Sequence, residues 1–530
     1  MKKSRPVIKS SNTTPRFSVF LVLAALVLVS TSAIAVFYTN GWLLYYGDAE
    51  AHLNIARRIV DSRTPGYDQV GTVWLPLPHW LMLPFVRLPF GKVDALWLNG
   101  LAGAIPAALA FLVAGTFLYL AAYRIFACRW AAVTATALFA LNPNVLYLQS
   151  IPMTESLFSA CLLALLYFTV RFRDTQGWGA VAGAGVAACA ATLTRYEGWF
   201  LLPFAAVYLA LAARRNRLGV AMLFTFLAAL GPFFWLFHNW WLTMDPLAFY
   251  RGPYSARAIQ GNAAYPGKND WREAFLYYRT AAQLCAGPCL PLIALAGLVA
   301  ALFRRAFWPL LLLALPGAFY IWSMRTSGGT PIFVPALPPF SYYNSRYGMA
   351  VLPLFALAGA GLVSVVPRPA RAIFAALVIL AAVIPWVAHP QPANWVTWEE
   401  SRVNSVARRE WTRQAADYLR PRYIRGSGIL TGFGDLTGVY RALGIPLRAT
   451  FTPDNGLPFD AAVVRPELFL HEPWVVTMGG AAAQTAVNRA ARLRIVYSLE
   501  KTIIVKDAPV IEIYLRTGGP FNAEAQRTQR

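Results

Sequence analysis

The chemistry-bearing side chains of this 530-residue chain are few, and they gather at the edges of apolar segments. The stretch "LLYYGDAEAHLNIARRIVDS" (Leu43–Ser62) brings Asp48, Glu50, His52, Arg57 and Arg58 together directly after the first strongly apolar run. Glu155 stands in "SIPMTES", Arg195 and Glu197 in "TRYEGW", His238 and Asp245 in "HNWWLTMDP", and Arg346 with Tyr347 in "NSRYG". Arg251, Arg257 and Lys268 add cations nearby in sequence. A carboxylate can take the proton of a hydroxyl as a new bond forms, and guanidinium groups can hold an anionic group in a bidentate fork. Such a set suits transfer from an anionic donor to an acceptor that must be deprotonated.

Each of these residues also has a structural role open to it. Asp48 can cap the helix that follows, with Glu50 favouring its positive end. Asp48 and His52 are four apart and share a helical face. Arg57 and Arg58 can reach toward lipid headgroups. Glu155 can cap a helix start with help from Thr154 or Ser156, and Arg195 and Glu197 can form a pair at a tight turn. His79, in "PLPHW", suits interfacial packing. What favours the chemical reading is that all of the candidates fall on one side of the membrane.

That placement follows from the apolar runs. The chain is 57% hydrophobic and 13% charged, about half the quarter expected of a soluble domain. Apolar runs of about 18 residues or more recur, the length a helix needs to cross a bilayer. The expected fold is therefore mostly α, a polytopic bundle of about eleven spans. These are segments 17–39, 95–123, 131–148, 155–172, 178–194, 198–213, 220–240, 288–303, 307–322, 347–366 and 371–389. The short gaps holding Arg124 and Arg129, Arg171 and Arg173, Arg214, Arg215 and Arg217, Arg304 and Arg305, and Arg368 and Arg371 then all fall inside, as the positive-inside rule requires. The basic stretch 1–16 is cytoplasmic on this reading. The run from Phe17 to Tyr38 is too long for a signal-peptide core, although "TSAIA" resembles a cleavage site, and it is read as a retained first span.

Residues 17–390 then form the membrane domain, with outside loops at 40–94, 241–287 and 323–346. In the first loop, "GTVWLPLPHWLMLPF" suits a helix lying in the interface. From about Gln391 the composition turns ordinary. Short runs such as "GILTGF", "PWVVTMG", "RIVYSL", "TIIVKD" and "VIEIYL" alternate with helix-like pieces such as "SRVNSVARREWTRQAADYLR". Residues 391–530 are thus expected to fold as a small exoplasmic α/β domain. "GFGDLTG" lacks the spacing of a dinucleotide fingerprint and reads as strand, turn and helix.

Formal charge is +23, from 47 Lys and Arg against 24 Asp and Glu. Because the basic residues sit in short gaps between spans, nucleic acid is not an expected partner. The five cysteines form no metal-ligand array; Cys285 and Cys289, in "CAGPC", are read as free thiols, with a disulfide as the alternative.

The order of these features resembles the GT-C superfamily of membrane glycosyltransferases, in which an acidic motif follows the first span on a helix along the membrane. "GDAEAHLNIARRI" matches that placement, and its Asp-x-Glu form is a variant of the family's loosened acidic motif. The His and Arg that follow resemble a run in oligosaccharyltransferase catalytic subunits. "IPMTESLFSACLLALLYF" is similar to the segment of protein O-mannosyltransferases and aminoarabinose transferases where a second acidic residue opens a span. "LTRYEGWFLLPF" and "NSRYGMAVLPLFALAGA" resemble further segments of bacterial members. The layout agrees over roughly residues 15–390, the letters only in these motifs. "NWWLTMD" is a superficial echo of the oligosaccharyltransferase "WWD" motif, which turns the expectation from peptide-sequon recognition to transfer of one sugar.

The resemblance implies a glycosyltransferase, inverting, that draws a hexosyl or pentosyl group from a polyprenyl-phosphate sugar. The acceptor would be a glycan, lipid or protein, with membrane lipids around the enzyme. It implies Asp48 as general base, with Glu50 and Glu155 as further catalytic carboxylates. His52, Arg57, Arg58, Arg195, Glu197, His238, Arg346 and Tyr347 would bind substrate and phosphate. Some relatives hold a divalent metal, for which Asp48, Glu50 and Glu155 are the candidate ligands of Mg²⁺ or Mn²⁺. The expected location is the cytoplasmic membrane, N-terminus inside and C-terminal domain outside. A transporter or flippase of lipid-linked sugars is the alternative; it would place charges mid-span beside paired broken helices. A scaffold presenting the tail to a partner is a third reading.

Overall fold

The computed structural model describes residues 16–87, 95–326, 331–493 and 495–517. The first fifteen residues of the basic N-terminus, residues 88–94 and 327–330 of two loops, Arg494 and the last thirteen residues lie outside that set. Apolar runs became helices nearly everywhere they were expected. Seven helices among the described residues are long and apolar enough to cross a membrane: Ser18–Thr39, Leu101–Phe126, Glu155–Thr175, Arg217–Thr243, Phe307–Thr326, Ser345–Val365 and Arg368–Ala388. Trp271–Ala286 and Leu290–Phe303, bent by 101° at the break between them, raise the count to eight if taken as one span.

The expected eleven spans are therefore not confirmed. Trp178–Thr192 and Glu197–Ala212 are apolar but only 15 and 16 residues long, short of the ~20 residues that cross the hydrocarbon core. The segment 131–148 is broken: a helix ends at Ala140, and Asn142 caps a new one at Pro143, its side chain accepting from the backbone N–H groups of Asn144 and Val145. Hydropathy sees the apolar run but not the break.

The chain divides into two compact units. One comprises Met1–Val36, Ala107–Ser150 and Thr154–Glu399; the other Phe37–Pro106, Ile151–Met153 and Glu400–Arg530. The first unit is helical. Its core is built from Phe111, Leu118, Phe139, Leu163, Leu166, Phe224, Leu313 and Leu357, with small residues such as Ala131, Ala184 and Ala360 between them. Small side chains let helices approach closely where lipid supplies no hydrophobic drive.

The second unit joins the first loop to the tail. Its mixed sheet has strands β1 (Ile429–Thr431), β2 (Thr450–Phe451), β3 (Trp474–Met478), β4 (Tyr497–Ile503) and β5 (Ile511–Arg516), in the order β2-β1-β3-β5-β4. β1 runs parallel to β2 and β3, with Ile429 opposite Trp474, while β5 is antiparallel to β3 and β4. Neighbouring residues point to opposite faces of the sheet. Ile429 and Val476 pack with Trp411, Leu419 and Val439 on one face; Leu430 and Val475 pack with Phe459, Ala486 and Val487 on the other. The runs "RIVYSL" and "TIIVKD" do not form separate strands, since β4 spans both with a register shift between Leu499 and Lys501. "GFGDLTG" links β1 to the helix Thr437–Ala442, as its composition implied.

The helix Gly47–Val60 belongs to this unit and is fastened to tail elements by paired polar groups. Glu50 accepts from Arg441 at 3.0 Å, Asn54 donates to Thr437 at 2.8 Å, and Arg58 meets Asp454 at 2.7 Å. Just beyond, Arg63 meets Glu472 at 2.6 Å. Two expectations change. The helix is capped at Tyr46 without a side-chain bond, so Asp48 sits in the first turn beside Glu50 rather than at the cap. Arg57 and Arg58 do not reach for headgroups: Arg57 is fully buried, and Arg58 is spent on Asp454 and the carbonyl of Gln69.

Candidate functional site

In the first unit, the turn between two short helices carries Arg195. Helix Trp178–Thr192 ends, and Glu197–Ala212 begins hard against it because residue 198 is glycine. A Cβ there would lie 2.5 Å from the backbone carbon of Ala191. Trp199 fixes the turn by donating its indole N–H to the carbonyl of Thr192. The result aims the Arg195 guanidinium at the start of helix Glu155–Thr175. Nη1 donates to Thr154 Oγ1 at 2.6 Å and to Glu155 Oε1 at 3.1 Å, Nε to Glu197 Oε1 at 2.7 Å, and Nη2 to the Tyr320 hydroxyl at 2.8 Å. Tyr320 in turn donates to Glu197 Oε1. Burial disfavours the charge on Arg195, but Glu197, Tyr320 and Glu155 outweigh it and hold the guanidinium protonated.

Arg346 is carried by the 3₁₀ stretch Ser345–Val351. Gly348 lets this stretch lie against helix Trp271–Ala286, where a Cβ would come within 2.4 Å of the Ala281 backbone. Arg346 Nε donates to the same oxygen, Glu155 Oε1, at 3.3 Å. Tyr347 completes the cluster. Its ring stacks on Tyr320 with centroids 4.5 Å apart, and the Arg195 and Arg346 guanidinium carbons lie 5.3 and 5.2 Å from its centre.

The second oxygen of Glu155 is different. Oε2 is buried and accepts no hydrogen bond, a costly state for a carboxylate oxygen in a poorly solvated site. Glu155, Ser159, Arg195, Glu197, Tyr320, Arg346 and Tyr347 line a cavity with Phe111, Phe139 and Phe158. Its open space is about 30 Å³, room for about two waters. As formed it admits a functional group such as a hydroxyl or a phosphate oxygen, not a whole sugar.

The predicted residues thus fall into three sets. Glu155, Arg195, Glu197, Arg346 and Tyr347 come together in the first unit. Asp48, Glu50, His52, Arg57 and Arg58 share the helix Gly47–Val60 of the second. His238 lies in the first unit but stacks on Trp235, 4.7 Å between centroids, and does not line the cavity. Asp245, a further acidic candidate, is engaged by the exposed Arg251 through two bonds of 2.7 Å. Cys285 and Cys289 are free thiols.

Sequence reasoning missed Tyr320 and gave Thr154 only a capping role. Thr154 makes no capping bond; its hydroxyl serves Arg195. Tyr320 sits inside "GAFYIWS", where it reads as core; the one available signal is that a buried tyrosine hydroxyl seeks a partner. His79 was read as packing. It is buried and its Nε2 lies 2.9 Å from His52 Nδ1, with the Trp74 ring tilted against His52 at 4.3 Å between centroids. Burial, then the neighbouring His52 and Arg58, hold His79 well below the ordinary histidine range.

Glu155 already serves two guanidiniums and Glu50 serves Arg441, and among the described residues no three His, Cys, Asp or Glu side chains converge as metal ligands.

A family model for dolichyl-phosphate-mannose-protein mannosyltransferase matches residues 91–241. Two solved structures share the fold across most of the chain. ArnT from Cupriavidus metallidurans bound to undecaprenyl phosphate superposes with a TM-score of 0.55 at 14% identity, covering 93% of this chain and 97% of that one. The Archaeoglobus fulgidus oligosaccharyltransferase in the apo form gives 0.51 at 14% identity, covering 87% of this chain and 69% of that one. No curated protein sequence matches.

Proposed function

With the GT-C fold as the premise, we propose that this chain is an integral membrane glycosyltransferase that moves one sugar from a polyprenyl-phosphate donor to an acceptor at the outer face of the cytoplasmic membrane. The observation that carries this reading is Glu155, with one oxygen gripped by Arg195 and Arg346 and the other buried and open beside a small cavity. Arg346, Arg195 and Tyr347 offer the positive charge and ring face on which a departing phosphate can rest. Glu155 keeps the two guanidiniums oriented, and its open oxygen can accept a hydrogen bond from a sugar hydroxyl.

In the proposed step the acceptor oxygen attacks the anomeric carbon as the bond from that carbon to the phosphate oxygen breaks. The anomeric centre inverts. The acceptor proton passes to a carboxylate base, and the lipid phosphate leaves as an anion stabilised by the guanidiniums. The ArnT structure, which holds undecaprenyl phosphate, supports a lipid-phosphate donor for this fold.

The test uses purified full-length protein in lipid nanodiscs with labelled polyprenyl-phosphate sugars and envelope-extract acceptors. Wild type should transfer label, while Glu155→Gln and Asp48→Asn should each lose about 10²–10⁴-fold, the range typical of removing an acid–base group. Equal transfer by wild type and both variants would remove these residues from the reaction. No transfer from any lipid-phosphate donor would remove the donor class.

A further inference from the structure

Arg57 is the most deeply buried cation of the second unit, and it is incompletely paired. Its side chain has no exposed surface, yet Nε and Nη2 lack hydrogen-bond partners; Nη1 donates to Asn54 at 3.0 Å, and the Asp61 carboxylate stands 3.8 Å off. The Trp97 ring lies 3.8 Å beneath its guanidinium carbon. Burial pushes the Arg57 guanidinium down to about 10, against the pull of Asp61 and Glu50, so the group stays charged at neutral pH.

Arg57 forms part of the wall of a polar pocket of about 330 Å³, with Asp61, Arg87, Trp97, Arg425 and Arg448 among the other walls. Four guanidiniums thus face one carboxylate. They come from separate elements: helix Gly47–Val60, the end of helix Leu77–Arg87, the turn after helix Val406–Leu419, and the 3₁₀ turn Leu447–Ala449. Asp61 is also spoken for, accepting from the Leu447 N–H at 3.0 Å and from Arg448 at 3.3 Å. A carboxylate ligand is planar and takes one fork well. Guanidiniums converging from several directions suit a tetrahedral group with three or four oxygens. The volume lies at the low end of the ~300–1,000 Å³ of small-ligand sites, enough for a phosphate with some of what it is attached to.

We propose that this pocket is a phosphate-binding site, with Arg57 as its buried anchor on Trp97 and Arg87, Arg425 and Arg448 closing on the remaining oxygens. Its walls share no residue with the Glu155 cavity, and it stands or falls by binding alone.

The experiment titrates the full-length protein in phosphatidylcholine nanodiscs with inorganic phosphate and, separately, with acetate, by calorimetry. A parallel arm measures binding of the protein, in detergent, to phosphatidylcholine vesicles with and without 10% phosphatidic acid. Saturable binding of inorganic phosphate, or added binding to the phosphatidic acid vesicles, is expected; which arm responds tells whether the phosphate is soluble or lipid-borne. Arg425→Ala and Arg448→Ala, both at exposed positions, should each weaken it about tenfold, and Arg57→Lys at least as much. Arg413→Ala, an exposed arginine outside the pocket, should leave it unchanged. No saturable binding in either arm, acetate binding as tightly as phosphate, or equal loss in Arg413→Ala would overturn the proposal. So would full binding by both Arg425→Ala and Arg448→Ala.

Discussion

Glu155 and Arg346 lie 191 positions apart in the chain and meet at 3.3 Å, on the carboxylate oxygen that also receives Arg195. The contact joins the start of one span to the entry of a late one, and it leaves the other carboxylate oxygen open.

Arg346→Lys keeps the charge but loses the planar fork that reaches Glu155 beside Tyr347. Transfer should fall by about 10²-fold, with a melting temperature close to wild type. Turnover near wild type in the nanodisc assay would show that a point charge suffices there.

Arg195 is the shared partner of two carboxylates, with 14% of its side chain exposed against 5% for Glu197. Arg195→Met should destabilise by about 3–5 kcal/mol, because it leaves Glu197 buried without its cationic partner. Arg195→Met combined with Glu197→Gln should recover part of that loss. Thermal melts in detergent decide it; a double variant no better than the single would mean that Arg195 acts through packing instead.

Tyr320→Phe removes the hydroxyl that stands between Arg195 and Glu197 while keeping the ring stacked on Tyr347. A cost of about 1–3 kcal/mol is expected, that of leaving buried groups short of a hydrogen bond. The same melt, compared with Tyr343→Phe on a partly exposed tyrosine, separates this from a general loss of phenol.

His79 provides a pH dependence with a definite sign. Its folded-state value is held well below the ordinary 6.5 by burial first, then by His52 and Arg58. Above pH 6.5 neither folded nor unfolded chain protonates it, and its contribution to stability is level and complete. Below 6.5 the unfolded chain takes up a proton that the folded chain refuses. Stability then falls with falling pH, by up to about 1.4 kcal/mol per unit until the folded value is reached. Melts from pH 7.5 to 5.0 should show a shallower decline in His79→Gln than in wild type; identical slopes would place the acid sensitivity elsewhere.

Local pattern by itself determined a good deal. Apolar runs of span length forced helices, because a backbone in lipid must satisfy its own hydrogen bonds. Glu155 was legible as an acidic residue at a helix start, whereas Glu197, expected in the turn before a helix, opens that helix. Strands β1, β3 and β5 of the tail were legible from their β-branched runs, and the GT-C layout from the order of spans and motifs. The number of full spans was not. Hydropathy measures how apolar a run is, whereas the stop at Ala140 and the shortness of 178–192 and 197–212 depend on caps and turns.

Partner choice was decided only in three dimensions. Arg195 and Glu197 are near neighbours, and their pairing could be read from the letters. That Arg195 also gathers Thr154, Glu155 and Tyr320 could not. Nor could the link of Glu50 to Arg441, 391 positions away, or the gathering of Arg57, Arg87, Arg425 and Arg448 around one pocket. Helical and strand periodicity is set over a few residues, so a sequence displays it directly. Charges pair by distance and burial, and those exist only once the chain has folded.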